Sequence, residues 1–255
     1  MKIVFTPDWF LGSDVLIEIF SFIILFAFFY LSVKNYKLSK NKNSLYLGIG
    51  FLLIALAEIA TILTKFVLYF DTSFTQEIGR AIITYQVVNS IDIFYYIGFF
   101  FHKLLTLLGF YVIYRLPLKR KSSGDVLIGL TFIIIAALFS QGIYYLFHLA
   151  AVVLLILITR NYYEIYKKNK SGNTIMLIIA FSILAFSHAI FILSELRVLY
   201  ALAQSIQVVS YLILLILIIR IIRVSKEGLK DERKKKSSRH NIRHVGDYSR
   251  KKRKN

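Results

Sequence analysis

An all-α bundle of seven transmembrane helices is the architecture this sequence predicts, with the N-terminus outside and the C-terminus in the cytoplasm. Three observations carry that prediction. Hydrophobic residues make up 57% of the 255-residue chain, above the share usual in soluble domains. Seven apolar runs approach the ~20 residues that a spanning helix needs. The basic residues between those runs fall on alternate sides.

The expected spans are 15–33, 45–68, 93–114, 126–141, 143–159, 174–193 and 204–222. The first is not preceded by a signal-peptide pattern: Lys2 is followed by Asp8 and Asp14, and no small-residue cleavage site follows the apolar run, so it stays as a helix. The fourth and fifth are short. A single helix over both would be about 51 Å long at 1.5 Å per residue, too long for one crossing. Ser140, Gln141 and Gly142 supply a turn between them. Residues 81–90 read as helical and extend the third helix outward or lie on the surface.

Charge tests this division independently. The loop 34–43 carries Lys34, Lys37, Lys40 and Lys42. The loop 115–124 carries Arg115, Lys119, Arg120 and Lys121, and 160–172 carries Arg160, Lys167, Lys168 and Lys170 against Glu164. The opposite segments hold Lys2, Arg80 and Arg197 against Asp8, Asp14, Asp71, Glu77, Asp92 and Glu195. Basic loops stay cytoplasmic. An odd helix count with the N-terminus outside follows, in a multi-pass protein of the plasma membrane.

Ionisable groups within a bilayer are costly and face the bundle interior. Glu18 lies near the outer end of the first helix. Glu58, Thr61 and Lys65 form one stripe on the second, with spacing i, i+3, i+7. Tyr95 and His102 share a face of the third, with Asp92 and Lys103 beside it. Tyr145 and His148 follow the turn, His188 lies on the sixth helix, and Gln204, Gln207 and Tyr211 form a stripe on the seventh. Nearly all sit in the outer half or at the midplane, whereas the inner halves are Leu, Ile, Val and Phe. The pattern points to one outer polar pocket around Glu58, His102, His148 and His188, holding a polar or anionic ligand. The competing reading is interhelical hydrogen-bond glue, about 0.6 kcal/mol per bond on average.

Several chemistries drop out. The chain has no Cys, so thiolate metal sites, disulfides and cysteine nucleophiles are excluded. No retinal is expected, because 204–222 has no Schiff-base lysine and the membrane lysines are Lys65 and Lys103. His102, His148 and His188 leave a metal or haem reading open, without i, i+4 pairing or an HExxH motif to support it. No nucleotide-binding or hydrolase motif appears, and the reading leans away from an enzyme. Any cofactor is unassigned.

The run Leu45–Glu58, LYLGIGFLLIALAE after a Lys/Asn loop, resembles helix 2 of prokaryotic seven-helix sensor modules. The tail run Arg239–Asp247, RHNIRHVGD, is similar to tails of archaeal membrane proteins. The first resemblance implies ligand sensing from the outer side. Such modules carry a signalling domain after the last helix, and 33 residues follow here, so the signal would pass to a separate cytoplasmic partner. A small-solute transporter and an intramembrane metal or haem protein are the alternatives.

Residues 223–255 hold 14 Lys and Arg against four acids, a net of +10 within the chain's formal +18. Without apolar periodicity they are expected to be mostly disordered after a short helical extension. The cluster Arg233, Lys234, Lys235 and Lys236 suits anionic lipid headgroups, at about 1 kcal/mol per basic residue. Arg250, Lys251, Lys252, Arg253 and Lys254 suit the same surface or nucleic acid. That leaves a third reading, a membrane tether that uses its basic tail.

Overall fold

The computed structural model describes residues 7–10, 12–40, 42–78, 82–116, 123–140, 142–193 and 198–223, with the backbone path alone for 68–78 and 82–92. After a 3-10 turn at Asp8–Phe10 come α1 (Ser13–Ser39), α2 (Lys42–Ile78), α3 (Ile82–Arg115), α4 (Ser123–Phe139), α5 (Tyr145–Asn169), α6 (Gly172–Phe191) and α7 (Val198–Arg223). Among the described residues there are no strands. Among the described residues, six helices are long and apolar enough to cross a membrane; α4, with 17 residues, is the short one. The chain divides at Leu214 into two compact units. The bundle described below is the first; of the second, residues up to Arg223 are described, and they are helical.

The helices run past the expected spans. α1 continues to Ser39 through Lys34 and Lys37, because Lys is a good helix former whose long stem lets its charge reach water from an apolar surface. Lys40 then takes the left-handed conformation, φ 55°, and its N–H donates to the Tyr36 carbonyl at 2.8 Å, a capping arrangement that satisfies one of the last free carbonyls. Lys170 ends α5 in the same way, φ 44°, donating to the Tyr166 carbonyl at 2.8 Å. The helical reading of 81–90 corresponds to the start of α3 at Ile82, continuous with its span.

The expected turn between the fourth and fifth runs is present. α4 stops at Phe139, whose carbonyl accepts from the N–H groups of Gly142 at 3.1 Å and Ile143 at 3.0 Å. The Ser140 hydroxyl donates to the Ala137 carbonyl at 2.8 Å. Gln141 lies outside the described residues, as do Arg80, Glu195, Arg197 and the tail clusters from Arg233 and Arg250.

α2 packs against both α1 and α3, α5 against α6 and α3, and α4 against α3 and α5. Hydroxyls on α6 and α7 tie those two together: Ser187 donates to the Ala203 carbonyl and Ser210 to the Ala180 carbonyl, each at 2.8 Å. α2 and α3 approach closely at Gly50 and Gly109. A Cβ on Gly109 would lie 2.8 Å from the Gly50 carbonyl oxygen, and one on Gly50 would lie 3.1 Å from the Gly109 carbonyl oxygen. Glycines let membrane helices touch through their backbones, where packing rather than water drives association.

One end of the bundle holds the start of α1 and of α5; toward the other, the interior is aromatic. Phe28 of α1 stacks on Phe51 of α2 with centroids 4.7 Å apart, Phe51 on Phe181 of α6 at 6.5 Å, and Phe181 lies 6.0 Å from Tyr162 of α5. All four are buried. Outward, α1 presents Leu16, Ile23 and Phe26, and α4 presents Leu127, Ile128 and Phe132. An apolar exterior around helices that satisfy their own backbone groups is what a bilayer requires.

Candidate functional site

Among the described residues, two groups of polar side chains link several helices, one ionic and one of histidines and aromatics. The ionic group is centred on Lys65 of α2. Its ammonium lies 2.6 Å from Asp14 Oδ2 and 2.5 Å from Glu18 Oε1, both on α1, and 3.4 Å from the Tyr200 hydroxyl on α7. Lys65 and Glu18 are 5% exposed and Asp14 is 0% exposed, so these charges are held by each other and not by solvent. The i, i+4 spacing of Asp14 and Glu18 puts both carboxylates on one face of α1. Asp14 also accepts at Oδ1 from the N–H groups of Gly12 at 3.1 Å and Val15 at 2.9 Å, which bind it to the helix start. Gly12 has φ 85°, a conformation that favours glycine.

Two turns before Lys65 on α2, Glu58 accepts from the Tyr211 hydroxyl of α7 at 3.2 Å, and Gln207 Nε2 donates to the same Tyr211 oxygen at 3.0 Å. Gln204 Nε2 donates to the Tyr200 oxygen at 3.3 Å. The stripe on α7 thus meets the stripe on α2. Thr61 belongs to that stripe by position, but its hydroxyl donates to the Ala57 carbonyl of its own helix at 3.3 Å.

The second group is built on α3, α5 and α6. His148 and His188 share a hydrogen bond between their Nδ1 atoms, 3.0 Å apart. Phe191 stacks on His148 at 4.8 Å, and Phe110 meets His188 edge-on at 6.2 Å. Phe147 stands 5.7 Å from the His102 ring and 5.8 Å from His188, between the two. His102 Nδ1 is 3.2 Å from the carbonyl of Ala57, the residue before Glu58. Lys103, next to His102, donates instead to the Ser140 carbonyl at 2.7 Å. The groups touch where Phe191 meets Tyr200, with centroids 5.5 Å apart.

No protein family, curated protein or solved structure matches this chain. The likeness of Leu45–Glu58 to sensor modules is therefore the likeness of one helix.

Of the four residues expected to face one guest, His148 and His188 bond each other, His102 faces a backbone carbonyl, and Glu58 faces Tyr211. Glu18, Lys65, Gln204 and Gln207 join the ionic group. Tyr95 is partly buried against Phe99, with centroids 4.6 Å apart, and Tyr145 is exposed beside Tyr144. The side chain of Asp92 lies outside the described residues. Among the described residues, no three His, Asp or Glu side chains are grouped to hold a metal ion. Sequence reasoning missed Asp14 and Tyr200 as members. The charge pattern alone groups Asp14 with the acids outside the membrane, although its position four residues before Glu18 carries the signal.

The ionic group sets the carboxyl groups of Asp14 and Glu18 against one ammonium, and Glu58, two turns away on α2, is bonded to Tyr211.

Proposed function

We propose that this protein is a receptor-like membrane module of sensor type, oriented with its N-terminus outside, that binds a small solute in its outer half. The Lys65 network is the responsive element, and a separate cytoplasmic protein receives the signal. The observation that carries this reading is the division of the interior. The ionic group lies on one side, and the buried stack of Phe28, Phe51, Phe181 and Tyr162 fills the other. A carrier needs polar groups along both halves of its path, whereas a receptor needs them in one. The basic tail supplies an electrostatic contact with anionic headgroups beside the partner's docking place.

The test is a screen for solutes that raise the unfolding temperature of the purified chain in nanodiscs at constant ionic strength, repeated with Glu58→Gln. Glutamine keeps an oxygen to accept from Tyr211, so the variant folds. The expected result is stabilisation of the wild type by a narrow class of solutes and its loss in the variant. Net uptake of a stabilising solute into proteoliposomes would overturn the receptor reading in favour of transport.

A further inference from the structure

The single ammonium of the ionic group is divided between two carboxyl groups. A lysine ammonium has three N–H donors, and Asp14 Oδ2, Glu18 Oε1 and Tyr200 Oη take all three. Glu58, on the same helix, has no share in it. Among the described residues no ion pair includes Glu58. Glu58 is 5% exposed, and its carboxyl group is met at 3.2 Å by the hydroxyl of Tyr211, itself 2% exposed. On the neighbouring helices the titratable groups are engaged elsewhere. From α1, Glu18 is held by Lys65, and the Ser21 hydroxyl donates to the Ile17 carbonyl at 2.7 Å. From α3, His102 meets the Ala57 carbonyl and Lys103 donates to the Ser140 carbonyl. On α6, His188 is bonded to His148 of α5. From α7, Gln207 Nε2 donates to the Tyr211 oxygen at 3.0 Å.

We propose that Glu58 is a proton-binding site of the folded bundle: its carboxyl group carries a proton, and α2 meets α7 through a neutral acid and a phenol. An ionised carboxylate offers about four lone-pair sites and, when buried, requires a cation or several donors. Asp14 shows what a charged carboxyl gathers in this bundle, with an ammonium at one oxygen and two backbone N–H groups at the other. Glu58 has one phenol, whose oxygen Gln207 already holds. A buried charge matched this poorly neutralises instead. A proton achieves that without a cavity to seat it. Glu58 is then a pH-responsive joint between α2 and α7, because loss of the proton leaves a carboxylate with no cation beside it. The inference goes beyond the receptor reading and concerns the bundle with no solute bound.

The test is infrared absorption of the full chain at neutral pH in an alkyl maltoside, a detergent with no carbonyl group to mask the band of a protonated carboxyl. The wild type should show that band. Glu58→Gln should lose it, and Glu18→Gln and Asp14→Asn should keep it. Tyr211→Phe, which removes the hydrogen-bond donor, should move it to higher frequency, and this assigns the band independently of any folding defect in Glu58→Gln. A pH series of unfolding measurements reads the same proton. The folded state holds a proton that the unfolded chain, whose glutamates ionise above about pH 4.3, has released, so stability falls as pH rises. The folded-to-unfolded ratio of the wild type should fall by up to about tenfold per pH unit more than that of Glu58→Gln, the slope of one proton. No carboxyl band in the wild type would overturn the proposal. So would a band that persists in Glu58→Gln, leaves with Glu18→Gln or stays unmoved in Tyr211→Phe, and so would equal pH slopes in the wild type and Glu58→Gln. A Glu58 band in a chain that no solute stabilises leaves this inference standing and removes the receptor reading alone.

Discussion

Replacing Lys65 with methionine isolates what the buried ion pairs do. The substitution keeps most of the stem that packs between α1 and α7 and removes the ammonium. Asp14, 0% exposed, and Glu18, 5% exposed, then face each other with no cation between them. Breaking a buried pair by deleting one partner costs about 3–5 kcal/mol. For a chain of this size, at about 2–4 °C per kcal/mol, the unfolding temperature should fall by roughly 6–20 °C. Removing the whole group has the opposite logic. In the triple variant Lys65→Met, Asp14→Asn, Glu18→Gln no charge is left unpaired, and Asn still accepts from the Gly12 and Val15 N–H groups. Most of the penalty for breaking a buried pair is the charge left without its partner, so the triple variant, which leaves neither Asp14 nor Glu18 charged, should recover part of the loss. Thermal and denaturant unfolding of the three proteins in one detergent measures this. A loss below about 1 kcal/mol for Lys65→Met, the range of exposed pairs, would refute the reasoning, and so would a triple variant no more stable than the single.

Four further expectations follow. Gly109→Val forces a branched side chain against the Gly50 carbonyl and Ile54, and overpacking of about 1–3 kcal/mol should appear as lower stability; wild-type stability would mean that the helices separate freely there. His188→Leu leaves the His148 Nδ1 unpaired and should cost about 1–3 kcal/mol, while His148→Phe with His188→Leu should cost less than the two single losses combined, as a double-mutant cycle will read. Because the chain has no cysteine, single cysteines give clean topology: Ser73→Cys should react with an impermeant reagent in intact cells and Ser122→Cys should not, and labelling of the latter would invert the orientation. Residues 225–255 fused to a soluble reporter should bind anionic vesicles, and less so at high salt; binding that ignores salt would remove the electrostatic reading of the tail.

The all-α bundle of long apolar helices was legible because a bilayer imposes a length and an apolar surface on a span, and both are local properties of sequence. The burial of Glu58, Thr61 and Lys65 was legible for the same reason: spacing i, i+3, i+7 puts them on one face, and all three are buried. Partners were not legible. Lys65 meets Asp14, 51 residues earlier, and Tyr200, 135 residues later, through the lateral order of α1, α2 and α7. Packing sets that order, and no single helix's period encodes it. Thr61 shows the limit within one helix, since its position was correct but its hydroxyl turns back to the Ala57 carbonyl. The helix ends were missed at Ser39 and Asn169 because lysine marks the membrane boundary without stopping a helix.

The brevity of α4 has a consequence for the lipid around it. Seventeen residues span about 26 Å at 1.5 Å per residue, against a hydrocarbon thickness of about 30 Å. Leu127, Ile128 and Phe132 face outward on this helix, so in the proposed seven-span arrangement the shortfall would fall on lipid contacts. Bilayer adapting to a short helix thins locally, at a fraction of a kcal/mol per ångström. In that arrangement the α4 flank would make the molecule sensitive to acyl-chain length. It should be most stable in short-chain lipids and lose stability as chains lengthen, so that membrane thickness joins any bound solute in setting the bundle's conformational balance.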